Sequence, residues 1–223
     1  MVHRLPLFPL DIVLFPGTPL PLHIFEARYR TMLADCLEGD ERFGILPVSR
    51  EGGTPPPGSV GCTARIHASQ LMEDGRSNVV VVGESRFAVK EYLVNDGVPY
   101  AVGSVEDFDD HDAGLVSPDG VNELRKLSRE YLEALHALND SPGTDTEFPE
   151  DAQALSFLVS AAIQVDTGIK QRLLSLRSTG ERVRLLLRLM PPLVADLVGR
   201  AGIHDRARTN GKSPHHYSMD ESL

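Results

Sequence analysis

Apolar and polar positions change their period midway along the chain. Residues 5–29, LPLFPLDIVLFPGTPLPLHIFEARY, set Leu, Ile, Val and Phe among five prolines, Pro6, Pro9, Pro16, Pro19 and Pro21. Proline lacks the amide donor and fixes φ, so it belongs at strand edges, strand ends and turns. The apolar residues between the prolines demand burial. Together they predict short strands, interrupted at their edges, that feed a helix. Tyr29, Met32, Leu33, Cys36 and Leu37 then recur at helical spacing, and Gly39 stops that helix.

A second β-rich stretch follows. RFGILPV reads as a short strand, EGGTPPPG (51–58) as a loop, and SVGCTARIHASQL and SNVVVVGESRFAVKEYLV as a hairpin about Asp74-Gly75. Val79 to Val82 run without alternation, which predicts a strand covered on both faces. Asn95-Asp96-Gly97 supplies a turn before the last strand, VPYAVGSVEDF. The acidic run EDFDDHD (106–112) marks a boundary and is expected to be a solvated linker. Beyond it the period becomes helical. Ser117-Pro118 opens a stripe of Val121, Leu124, Leu127 or Ser128, Tyr131, Leu135 and Leu138. SPGTDTEFP (141–149) is a loop, EDAQALSFLVSAAIQV a second helix, and GIKQRLLSLR a third. Ser178 and Glu181 form a capping box for ERVRLLLRLM, which Pro191-Pro192 is expected to break. The pattern divides the chain into a β-rich part (1–110), a helical part (111–199) and a polar, disordered tail (200–223).

Charge narrows the partners. The net charge is −10 over 223 residues, distributed as −7 in residues 1–110, −7 in 111–165 and +4 in 166–223. An acidic body argues against a phosphate backbone as the main partner. Arg172, Arg177, Arg182, Arg184 and Arg188 offer a basic stretch, but no aromatic residue accompanies them for base stacking, so a solvated helix face is expected. Two cysteines, Cys36 and Cys62, form no disulfide framework and no metal-type pair. No apolar run is long enough for a membrane span, and Pro6, Pro9 and Asp11 interrupt what would be the core of a secretory signal. A cytoplasmic location is the expectation.

The order of the signals carries a resemblance. LPLFPLDIVLFPGTPLPLHIFEARYRTML, a Gly-Cys-x-Ala-x-Ile strand, a D-G-R turn and VVVVGESRFAV resemble the N-terminal domain of Lon proteases, and DTGIKQRLLSLRSTGERVRLLLRLM is similar to the end of that domain. The resemblance spans roughly residues 5–192. It implies an α+β fold: an N-terminal PUA-like β pseudobarrel with one helix, followed by a C-terminal α-helical bundle. Lon continues into an ATPase and a serine–lysine protease; this chain stops before either, so a free-standing substrate-binding member is expected.

Catalytic motifs are missing. NGKS (210–213) has Arg206 where a phosphate-binding loop needs its first glycine, and Gly83-Glu84-Ser85 has Phe87 where a nucleophile elbow needs its second. Of eight histidines, His23 reads as a satisfied barrel residue and His215-His216 as a tail pair. No cofactor, no metal and no enzymatic activity are expected. FEARY and GESRF are the densest family-like pieces, which makes Phe25, Glu26, Arg28, Arg86 and Phe87 the candidate binding residues. Each also has a structural explanation: Phe25 and Phe87 as core anchors, Glu26 as a first-turn carboxylate paired with Arg30. The expected function is a protein-interaction module for unfolded or tagged segments of other proteins, with a protease or chaperone as further partner, acting through an apolar cleft between the two parts. A PUA-like RNA- or nucleotide-binding module is the alternative.

Overall fold

The computed structural model describes residues 2–48, 55–93, 97–111, 116–143 and 146–210, with side chains to Arg206. The strands are β1 (Val2–Leu10), β2 (Pro19–Ile24), β3 (Arg42–Pro47), β4 (Val60–Leu71), β5 (Ser77–Tyr92) and β6 (Ala101–Asp107). The helices are α1 (Ala27–Glu38), α2 (Pro118–Leu138), α3 (Ala152–Ala162), α4 (Thr167–Ser175) and α5 (Thr179–Asn210). The mixed sheet has the order β2-β5-β4-β3-β1-β6, and β6 returns to pair with β5 and closes it.

The prolines of the opening fit because their strands are only partly flanked. β1 pairs antiparallel with β6 over Val2–Leu7 and parallel with β3 over Leu7–Leu10. Its two partners are staggered, so Pro6 and Pro9 each lie where one neighbour is missing. On β2, which pairs only with β5, Pro19 and Pro21 share one parity. They strip donors from the free edge and leave the amides of Leu20, Leu22 and Ile24 for the ladder. Phe15-Pro16-Gly17-Thr18 is a type II turn: Gly17 has φ +75°, and Thr18 N–H and Oγ1–H both donate to Phe15 O, at 3.2 and 2.7 Å. Gly83 receives this turn, since its N–H donates to Thr18 O at 3.0 Å and a Cβ there would lie 2.2 Å from Phe15 O. The GES sequence therefore serves a close backbone approach.

Three clusters fill the interior. One, with Phe8, Tyr29, Met32, Phe43, Val79 and Val81, seats α1 on the sheet. A second, with Leu5, Leu7, Leu46, Phe87, Val89 and Val105, fills the other end of the closed sheet. The third binds the helices to one another and draws in Phe15 from the β1–β2 connection and Val60 from β4; the Phe15 and Phe157 rings lie 6.3 Å apart. Gln171 Nε2 on α4 donates to Val60 O at 2.8 Å, a further tie between the two parts.

Several local expectations change on folding. The valine run is not covered twice: Val79 and Val81 are buried at 1% and 0%, while Val80 is 37% exposed. The outer face of β2, β5 and β4 carries no covering helix, so ordinary alternation prevails. Ser117 holds the N-cap position of α2 without a side-chain cap bond, whereas Asp151 caps α3 by accepting from Ala154 N–H at 2.7 Å. Ser178 Oγ does accept from Glu181 N–H at 3.1 Å. Pro191-Pro192 does not break α5. Both prolines lie on its exposed side, while Met190, Val194 and Leu197 on the buried side continue across them within the helical core. Packing outweighs the two lost amide bonds. The helix consequently runs through residues 200–210, assigned from sequence to the tail, and His204 Nε2 lies 3.7 Å from Asp140 Oδ2. Residues 211–223 lie outside the described residues, as do His215-His216 and all of NGKS beyond Asn210.

Gly83→Ala is expected to destabilise the protein by about 3 kcal/mol, at the upper end of the usual cost of overpacking. Gly168→Ala, at a helical position with nothing within 4 Å, is expected to be neutral or slightly stabilising. Urea unfolding of the two variants beside the wild type checks both, and equal midpoints would refute the proposed role of Gly83.

Candidate functional site

Arg86 and Phe87 are neighbours on β5 and point to opposite faces. Phe87 is 1% exposed and fills the barrel, its ring lying over Gly44 and Gly61, where a Cβ would meet it at 2.6 and 2.5 Å. Arg86 points the other way, into the helical half, and is 4% exposed. Its Nη1 donates to Leu174 O at 2.7 Å and to Leu176 O at 2.6 Å, and its Nη2 donates to the Asp110 carboxylate. These carbonyls belong to the C-terminal end of α4, where unpaired acceptors and the helix dipole favour a cation. Arg182, also fully buried, approaches from α5. Its Nη2 donates to Asp110 Oδ2 at 2.5 Å, its Nε to Ser156 Oγ at 2.8 Å and its Nη1 to Leu176 O at 2.9 Å. The Thr179 hydroxyl completes the ring by donating to Asp110 Oδ2 at 2.6 Å. The Phe157 ring lies against both guanidiniums, 4.0 Å from Arg182 and 5.1 Å from Arg86.

Burial alone would push the Asp110 carboxyl up. Hydrogen bonds from Arg182 and Thr179 and the charges of the two guanidiniums outweigh it and hold the group down at about 2. Burial pulls Arg86 below its ordinary value; Asp110 counters this and Arg182 adds to it. Residues 108–111, expected to be solvated linker, are therefore a structural wedge. Phe108 packs on the helical core and under Arg86 and Arg177, and His111 N–H donates to Arg177 O at 2.8 Å. Arg182, assigned from sequence to a solvated basic face, is the most enclosed cation of its stretch; Arg172, Arg184 and Arg188 do face solvent. Where a cleft between the two parts was expected, the ion cluster fills the space.

The other candidates lie elsewhere. Phe25, read as a core anchor, is 61% exposed. It follows the last residue of β2, and its ring stacks on His23 at 6.2 Å with an interplanar angle of 26°. His23 is itself exposed, and its Nδ1 donates to Asn78 Oδ1 at 2.8 Å. Glu26 occupies the N-cap position of α1 without capping it, and pairs with Arg28 rather than Arg30, at 2.8 Å. Beside them, Pro21, Leu22, His23, Ala68, Gln70 and Val80 line an open, largely apolar hollow of about 420 Å³ on the outer face of β2, β5 and β4. The sequence candidates thus separate: Phe25, Glu26 and Arg28 lie on a shared surface, while Arg86 and Phe87 are enclosed and unable to touch a partner. Sequence reasoning missed Asp110, which looks like its acidic neighbours, and the outward face of Val80, which only the uncovered side of the sheet reveals.

Nucleophilic and metal chemistry finds little support among the described residues. Burial, reinforced at Cys36 by nearby Asp40 and Asp35, pushes both the Cys36 and Cys62 thiols up to about 12, so neither is a thiolate at neutral pH. Among the described residues no three of His, Cys, Asp and Glu converge as a metal site.

Asp110→Asn is expected to cost about 3 kcal/mol at neutral pH, because two buried guanidiniums lose their counter-charge. The folded carboxyl titrates below the ordinary carboxylate range, so its stabilisation is complete above about pH 5 and is lost as pH falls from about 4 to 2. Urea titrations at pH 7 and pH 3 should show the gap between wild type and variant narrowing in acid; a constant gap would refute the charged role.

Comparison with known proteins agrees with this architecture. The Lon N-terminal domain protein of Xanthomonas campestris superposes with a TM-score of 0.66 at 25% identity, covering 85% of this chain and 99% of that one. The N-terminal domain of the Mycobacterium avium complex Lon protease gives a TM-score of 0.65 at 18% identity over 87% of this chain and 99% of its own, a likeness of fold. In sequence, the Lon proteases of Cytophaga hutchinsonii and Xanthomonas oryzae pv. oryzae are 26% and 27% identical over 92% and 98% of the chain. The chain spans about a quarter of their length, 26% of each. The model of the ATP-dependent protease La (LON) substrate-binding domain matches residues 4–191, and the chain belongs to that family.

Proposed function

We propose that this chain is a protein-interaction module that receives extended, apolar segments of unfolded or tagged proteins on the outer face of β2, β5 and β4, and serves protein turnover in the cytoplasm as an adaptor without chemistry of its own. The carrying observation is Phe25: a large aromatic side chain left 61% exposed and stacked on His23, which lines the apolar hollow. Val80 at 37% exposure adds apolar character on the same face. Uncovered apolar surface of this kind marks contact sites. Glu26 and Arg28 add a polar margin at the start of α1. The family's description as a substrate-binding domain points the same way.

The mode of grip follows from the prolines. A partner strand adding to the free edge of β2 would find no amide donor at Pro19 or Pro21. Binding therefore rests on side chains meeting the face of the sheet. Apolar burial of this sort tolerates salt, whereas binding to RNA would weaken steeply as salt rises.

Fluorescence anisotropy with labelled, apolar unfolded-protein peptides and with a tRNA pool, each at low and high salt, tests the proposal. Peptides are expected to bind with little dependence on salt. Phe25→Ser combined with Val80→Asp is expected to weaken them about tenfold, roughly 1.4 kcal/mol, without lowering the thermal midpoint. Tight RNA binding with a steep salt slope, and no peptide binding, would transfer the function to the nucleic-acid class.

A further inference from the structure

The helical half contains a concavity that the sheet face does not use. Between α2, α3 and the 146–148 segment lies a cavity of about 190 Å³, walled by Leu132, Phe148, Leu158, Val159, Ile163 and Met190. Its size selects the occupant. Sites for drug-sized ligands run to roughly 300–1,000 Å³, whereas an apolar cavity of about 150 Å³ holds a single benzene ring. This one has room for one ring or one branched side chain.

One polar group in its wall and three at its mouth have bonding capacity to spare. Tyr131, in the wall, is 2% exposed; its hydroxyl accepts Gln164 N–H at 3.0 Å, and among the described residues nothing accepts its proton. An adjoining hollow of about 230 Å³ forms the mouth and is lined by Arg129, Glu133 and His136, spaced along α2. Arg129 lies 5.7 Å from the centre of the Phe148 ring. Among the described residues, none of the three mouth side chains has an ion pair or a hydrogen bond. One guanidinium and one carboxylate suit a polar group of no net charge. A free carboxylate would meet Glu133 and a free ammonium would meet Arg129, while peptide amides offer an acceptor to one and a donor to the other.

We infer that this cavity is an anchor pocket for one large apolar side chain, Leu, Met or Phe, of an extended protein segment, whose flanking amides are held by Arg129 and Glu133. The inference rests on the proposed protein-recognition role and places a second contact point on the helical half, apart from the sheet face.

The chain contains no tryptophan, so Ala162→Trp, at an exposed position on the cavity wall, both obstructs the pocket and reports on it by fluorescence. The probes are acetylated, amidated Gly-Ser-Gly-Phe-Gly-Ser-Gly, its Phe→Ala counterpart, and toluene. Burial of the ring is expected to make the Phe peptide bind about tenfold or more tightly than the Ala peptide. Ala162→Trp is expected to abolish that preference while leaving the thermal midpoint unchanged. Toluene is expected to shift the methyl resonances of Ile163 and Met190 in the wild type and not in the variant. If Ala162→Trp binds the Phe peptide as well as the wild type does, the anchor pocket is refuted. Toluene entry without a preference for Phe over Ala also refutes it. Should Phe25→Ser abolish peptide binding while Ala162→Trp leaves it intact, the pocket fails and the sheet face stands. Loss of the preference in Ala162→Trp alone supports the pocket, and the sheet face is then judged by the longer apolar peptides.

Discussion

One carboxylate shared by two guanidiniums, all three out of contact with water, fixes how the two parts of this molecule meet. Asp110 arrives from the segment after β6, Arg86 from β5 and Arg182 from α5, with Ser156 of α3 and the end of α4 as further partners. The charges do not balance, since two cations face one anion. The carbonyls of Leu174 and Leu176 at the C-terminal end of α4 and the ring of Phe157 take up the excess. Desolvation offsets most of the attraction in such a cluster, so its contribution to net stability is small, while removing one member leaves a buried charge without compensation. Its effect is geometric: it ties α3, α4, α5 and the segment after β6 to β5 at one point.

Filling the junction in this way determines where surface remains for partners. Among the described residues the ion cluster occupies the junction of sheet and helices, and two concave apolar surfaces lie elsewhere, on the outer face of β2, β5 and β4 and between α2 and α3. The first is shallow and broad; the second is narrow and takes one side chain. An extended polypeptide suits both, because its side chains project at regular intervals and its amides are neutral dipoles. The edge prolines of β2 keep that surface from recruiting another sheet edge, so apolar exposure is combined with protection against strand addition.

Much of the secondary structure was legible from local chemistry. Gly39 ends α1, Asp74-Gly75 turns the β4–β5 hairpin with Asp74 bonded to Arg76, and Ser178 caps α5, each through interactions spanning a few residues. The fold family was legible as well, because such signals occur in one order over most of the chain. The candidate site was only half legible. FEARY leads to an exposed patch and GESRF to the interior, although both combine an aromatic residue with a charge pair.

What the sequence by itself determined is the set of elements, their order and the residues able to be buried, since these depend on backbone sterics, capping and periodicity within a turn or a hairpin. Tertiary structure alone decided which member of a chemically uniform group has the special role. Asp110 is buried and Asp107 and Asp109 are not; Arg182 is enclosed and Arg184 is not; Phe87 is core and Phe25 is surface. Pro191-Pro192 stays helical because Met190, Val194 and Leu197 pack on either side of it. The reason is common to all four. Burial and ion pairing depend on partners 90 residues or more away along the chain, as between Arg86 and Leu176. Local composition holds no record of such a distance.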